Sequence, residues 1–119
     1  LGKMNVERKH VGDRMSKVVI HGDTVYLAGQ VAINAPGKSV AQQTEDILAI
    51  IDTYLADAGT DKSKLLSANL WITDMAHFSE MNAVWDAWVV PGKTPCRACV
   101  EANLANEKYS VEIMVTAAL

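Results

Sequence analysis

Apolar and β-branched residues come in two runs near the start of the chain, Lys17 to Ile20 and Val25 to Val31, parted by His21-Gly22-Asp23-Thr24. Gly22-Asp23 supplies turn residues, so the pattern predicts a strand, a tight turn and a second strand. Asn34-Ala35-Pro36-Gly37 follows as a loop. The period then changes. Thr44, Ile47, Leu48, Ile51, Leu55 and Ala58 recur at helical spacing. Ser39 and Gln42 are placed as a capping box, and Gly59 falls where a left-handed helix cap is expected. Leu65 to Thr73 returns to a period of two, with Leu66, Ala68, Leu70 and Ile72 on one face. Asp74 is placed to cap a second helix with a buried stripe of Phe78, Met81, Trp85, Trp88 and Val89, ended by Pro91-Gly92. Asn82 lies inside that stripe. A polar group there must be partnered, and nearby backbone is the expected partner.

Two further strands close the chain, about Pro95 to Glu101 and about Tyr109 to Ala118, and a short extra strand is expected near Val6 to Lys9. The order β-β-α-β-α-β-β predicts an α+β domain over residues 1–119, a mixed sheet with both helices on one face. On the last strand Val111, Ile113, Val115 and Ala117 alternate with Ser110, Glu112, Met114 and Thr116. The second set is half polar, so the uncovered sheet face is semi-apolar, and that predicts an oligomer.

Composition narrows the function classes without choosing one. The chain has 119 residues, half of them hydrophobic and 21% charged, enough for a packed core without metal or disulfide. Net charge is −3, against a nucleic-acid partner. Lys3, Arg8, Lys9, Arg14 and Lys17 cluster early and read as a solvated flank. No apolar run is long enough to cross a bilayer, and none resembles a signal peptide. Leu1-Gly2-Lys3 reads as an added leader before a native start at Met4. Two cysteines without an export signal predict a reducing, cytoplasmic location.

Cys96-Arg97-Ala98-Cys99 has C-x-x-C spacing, but a strand sends side chains three apart to opposite faces, so the thiols should not meet. His10, His21 and His77 have no metal-like spacing, and no metal is expected. Arg97 stands inside a strand on the same face as Cys99. It reads either as half of a structural ion pair or as a carboxylate clamp, since the planar guanidinium holds a carboxylate bidentately. Glu112 interrupts the apolar run Val111 to Val115 and could bind or activate a water as general base. If the last two strands form a hairpin about Asn103 to Glu107, Arg97 and Glu112 lie nearly opposite each other. A skipped strand or a contact across subunits is the alternative. Gly29 holds a strand position, where glycine often admits a close approach to the backbone.

Leu27-Ala28-Gly29-Gln30, the helix entry from Thr73-Asp74-Met75 to Phe78, Asn82, Pro95-Cys96-Arg97-Ala98-Cys99-Val100-Glu101 and Val111-Glu112-Ile113 stand in the order and spacing of a known family. From about Lys17 to Leu119 the chain resembles the RidA (YjgF-type) enamine/imine deaminases. The resemblance implies a chorismate-mutase-like fold and a homotrimer with sites in clefts between subunits. It implies hydrolysis of reactive 2-imino acids to 2-keto acids and ammonia, with no metal or cofactor. Arg97 would hold the substrate carboxylate and Glu112 would position the attacking water. Gly29 and Cys99 would shape the pocket, with Asn82 near it. Two departures mark a divergent subgroup. Many deaminating members have Ser where Ala28 stands, and Gly-Pro-Tyr where Asp13-Arg14-Met15-Ser16 stands. Arg14 and Ser16 then offer different polar groups to a substrate. The alternatives are a non-catalytic binder of small carboxylates using Arg97 alone, and a protein- or RNA-directed role of the kind ascribed to some relatives. Arg97 and Glu112 together favour the deaminase, because a pure anion binder gains nothing from a carboxylate beside its ligand.

Overall fold

The structure, a computed structural model, describes residues 5–119; the expected leader and the start at Met4 lie outside the described residues. The chain runs β1 (Val6–Val11), β2 (Ser16–His21), β3 (Thr24–Leu27), β4 (Gln30–Val31), α1 (Val40–Asp57), β5 (Leu65–Ile72), α2 (Phe78–Trp88), β6 (Cys96–Glu101) and β7 (Val111–Ala118). The sheet order is β1-β2-β3-β7-β5-β6, with β4 also on β7. Among the described residues only β5 and β6 pair in parallel, joined by α2 as the crossover. Both helices pack on one face of this mixed sheet, as the element order predicts.

The core is the seam between that face and the helices. Val18, Val25, Leu70, Ile72, Val111, Ile113 and Val115 from the strands meet Ile47, Leu48, Ile51, Leu55, Met81 and Trp85 from the helices. The capping box of α1 is present, with Gln42 N–H donating to Ser39 Oγ at 3.1 Å and Ser39 N–H to Gln42 Oε1 at 3.3 Å. At the other end Gly59 takes φ +86°, and Thr60 N–H donates to Leu55 O, a left-handed stop.

Three local expectations are corrected. The run Val25 to Val31 is not one strand, because it breaks at Ala28-Gly29. There Ala28 N–H still donates to Lys17 O, while the Gln30 side chain turns back onto Ala28 O. Leu66 does not share the buried face of Ala68, Leu70 and Ile72. A bulge between Leu65 and Ser67 shifts the register, so Leu65 is buried and Leu66 is exposed. Asp74 caps a 3-10 turn, Met75–His77, through Ala76 N–H, and α2 starts one turn later.

Candidate active site

The sheet register decides which candidate residues can meet. β5 lies between β6 and β7, so the last two strands do not form a hairpin. Arg97 is level with Ala68 and Val115, whereas Glu112 is level with Trp71. Paired residues share a face, and Ala68 and Val115 are core residues. Arg97 therefore lies on the helix side. Glu112, between buried Val111 and Ile113, lies on the open side. Within one chain the two are on opposite faces of the sheet, which corrects the facing-pair expectation: β5 is the skipped strand, and the cross-subunit alternative stays open.

On the helix side, Arg97 Nη1 donates to Asn82 Oδ1 at 2.8 Å. The partner of Asn82 is thus a cation on another element and not nearby backbone. The guanidinium carbon sits 5.4 Å from the Trp85 ring centroid and 5.8 Å from that of Phe78, within cation–π range. Among the described residues no carboxylate pairs with Arg97. The side chain is exposed, on an edge strand. Within one chain, and among the described residues, the ion-pair reading of Arg97 is therefore not met: its charge is uncompensated and most of its donors are unused. Cys99 stands two residues on along the same face. Burial pushes its thiol above the usual 9.0, against the opposing pull of Arg97. It stays protonated near neutrality and is no ready nucleophile. Cys96 points the other way and donates to Leu66 O, so the two thiols do not meet.

On the open side, the Glu112 carboxylate lies directly over Gly29. A Cβ at Gly29 would collide with Oε2 and come within 3.2 Å of Cδ. The glycine leaves room for the carboxylate in this position, and its φ is not in the left-handed region. β4 brings Val31 opposite Glu112 on the same side. Ser16 opens β2 at the sheet end where β3 reaches Ala28, so Ser16, Gly29 and Glu112 share that end. Arg14 lies in the β1–β2 turn, lining a surface cavity of about 510 Å³ with His10, Met15 and Lys17.

Two groups emerge: Arg97, Asn82 and Cys99 under α2, and Glu112 with Gly29 at the end of the open face. Sequence reasoning missed Phe78 and Trp85 as partners of Arg97, reading them only as core. The available signal was their spacing, because 78 and 85 bracket Asn82, the polar residue of the stripe, on a single helical face. A cavity of about 610 Å³ between α1 and α2 is lined by Leu48, Val84 and Trp88, among others, and includes neither group. Among the described residues no cluster of three or more His, Cys, Asp or Glu could hold a metal ion, and no helix is long and apolar enough to cross a membrane.

Residues 8–119 match the sequence family described as Endoribonuclease L-PSP. The chain is 45% identical over 114 residues to a RutC family protein of Haemophilus ducreyi, covering 96% of this chain and 97% of that one. It is 42% identical over 116 residues to the RutC family protein YoaB of Escherichia coli, covering 98% and 100%. A crystal structure of a YjgF-family protein from Neisseria meningitidis superposes with a TM-score of 0.94 at 43% identity, covering 98% of this chain and 96% of that one. A Mycobacterium tuberculosis protein of the same family shares the fold alone, at a TM-score of 0.86 and 23% identity over 97% of this chain and all of that one. With a family match across nearly its whole length and relatives this close, the chain belongs to the RidA (YjgF/RutC) family.

Proposed function

We propose that the protein hydrolyses small 2-imino acids and their enamine tautomers to 2-keto acids and ammonia, as a homotrimer with sites between subunits. The observation that carries this reading is the uncompensated Arg97 guanidinium on one sheet face and the Glu112 carboxylate over Gly29 on the other. One chain cannot bring them to one ligand, but a neighbouring copy packed on the open face can. Tyr26, Val100 and Met114 are exposed on that face, which supports its burial in an assembly. The semi-apolar alternation of β7 and the family's habit point the same way.

In the cleft, Arg97 of one subunit binds the substrate carboxylate bidentately. Glu112 of the next orients a water toward C2, the iminium carbon, and takes a proton as the C–O bond forms. That proton passes to the nitrogen of the resulting aminol. The C–N bond then breaks, the nitrogen leaves with its electron pair as ammonia, and the hydroxyl proton is lost as the keto group forms. The balance is iminium acid plus water to keto acid plus ammonia and a proton, and no step requires a cofactor. Ala28 removes the hydroxyl that many deaminating relatives carry there, and Arg14 in the β1–β2 turn and Ser16 at the start of β2 offer different polar groups.

A coupled assay tests the reading: purified protein is added to a dehydratase reaction that releases 2-iminobutyrate, and keto-acid formation is followed. Faster release that depends on both Arg97 and Glu112 supports it. Absent turnover, with ligand stabilisation that depends on Arg97 alone, would instead establish the non-catalytic carboxylate binder.

A further inference from the structure

Arg97 is held by groups that leave its charge intact. A carboxylate partner would neutralise the cation and compete with any anionic ligand. Instead α2 offers one neutral acceptor, Asn82 Oδ1, and the faces of two rings, Phe78 and Trp85. A ring face attracts the guanidinium through its quadrupole without taking a hydrogen-bond donor. The guanidinium carries five coplanar N–H donors. Asn82 engages Nη1, the terminal nitrogen on the side away from the Nε proton. The edge formed by Nε–H and Nη2–H is left whole, and that edge is a fork matched to a carboxylate.

We propose that Asn82, Phe78 and Trp85 are positioning residues that clamp Arg97 so that it takes a small monocarboxylate side-on, through Nε and Nη2. The proposal rests on the reading of Arg97 as the carboxylate site. Its physical content is preorganisation. A free arginine loses rotamer freedom when it binds, whereas one already fixed in plane by a ring stack and an amide loses little. The three positions fall on one face of α2, so a single helix sets both the tilt of the fork and its rotation.

Phe78 is the only phenylalanine in the chain, so growth on fluorinated phenylalanine alters this ring and no other. Mono-, di- and trifluorination progressively weaken the negative ring face with little change of volume. Pyruvate, titrated calorimetrically, is the probe. Affinity is expected to fall stepwise with fluorine content, by about two- to fivefold in all, the loss expected of a cation–π contact at a half-open site. In the imine assay the same series should raise KM and leave kcat unchanged. Asn82→Ala should weaken pyruvate binding about tenfold. Asn82→Asp, although the closer isostere, should weaken it further, because the new carboxylate neutralises the fork. A merely structural Asn82 would give the opposite ranking.

Pyruvate affinity that does not change across the fluorinated series overturns the clamp, as does Asn82→Asp binding like wild type. Arg97→Ala separates the two levels. If it loses pyruvate while the fluorinated series stays flat, the clamp alone fails. If it binds pyruvate normally, the carboxylate reading of Arg97 fails and the clamp falls with it.

Discussion

At the scale of single residues, position in the pleat matters more than spacing. Arg97 is exposed, so removing it should leave the fold intact and strip the site of its cation. Arg97→Ala is expected to weaken carboxylate binding by at least ~1.5–3 kcal/mol, the contribution of one charged hydrogen bond, with more lost for a bidentate pair. Arg97→Lys should recover little, because an ammonium lacks the planar fork. Isothermal titration with pyruvate, alongside a melting curve, checks both points. Glu112→Gln keeps the size of the side chain and loses the base. Turnover should drop by roughly 10²–10⁴-fold, while pyruvate binds as well or better. Unchanged turnover would remove Glu112 from the mechanism. Gly29→Ala gives a less obvious prediction. The new Cβ meets the far end of a flexible side chain, so Glu112 swings away and the backbone does not have to move. Stability should hold, yet turnover should fall by roughly 10²-fold, since small misplacements of a catalytic group have that effect. A Gly29→Ala protein that unfolds would show that the glycine serves the strand instead.

At the scale of elements, the chain declares its helices and conceals its strand neighbours. The capping box at Ser39 and Gln42 and the stop at Gly59 were legible because both are local chemistry. The residue beside Gln42 was not. Gln43 is wholly buried, donating to Lys38 O at 2.9 Å and Lys108 O at 3.1 Å and accepting from Ser110 N–H at 2.8 Å. It ties the start of α1 to the loop that leads into β7, and no periodicity announces a contact so distant in sequence. Gln43→Leu strands at least two of those backbone groups, at about 1–3 kcal/mol each. Urea unfolding should show a loss of about 3 kcal/mol, with faster amide exchange at Ser110. The break in the strand at Ala28-Gly29 was equally hidden, because there the Gln30 side chain takes Ala28 O, a contact that the apolar pattern does not announce. Arg97 and Glu112 were legible as chemistry, being charges inside apolar strands. Their relative placement was not, because inserting β5 between β6 and β7 depends on the parallel crossover through α2. Asn82 showed its need for a partner, but the helix pattern could not tell which strand residue would arrive opposite it.

At the scale of the whole molecule, the sheet itself separates the two halves of the proposed site. Arg97 projects toward α2, and Glu112 projects to the face that no helix covers. A trimer with cyclic symmetry repeats one heterologous contact three times, so each cleft would take Arg97 from one subunit and Glu112 from the next. This arrangement makes complementation possible. Homotrimers of Arg97→Ala and of Glu112→Gln should each be inactive. When the two variants are unfolded together in equal amounts and refolded, a cleft between an intact arginine and an intact glutamate needs two particular neighbours. With random assembly about one cleft in four has them, so activity should return to about a quarter of wild type. Light scattering on the same sample should give three times the monomer mass. A site built within one chain would show no recovery, whatever the mixing ratio. A monomer at micromolar concentration would remove the cleft altogether, leaving Arg97 as an isolated carboxylate contact on an open edge strand.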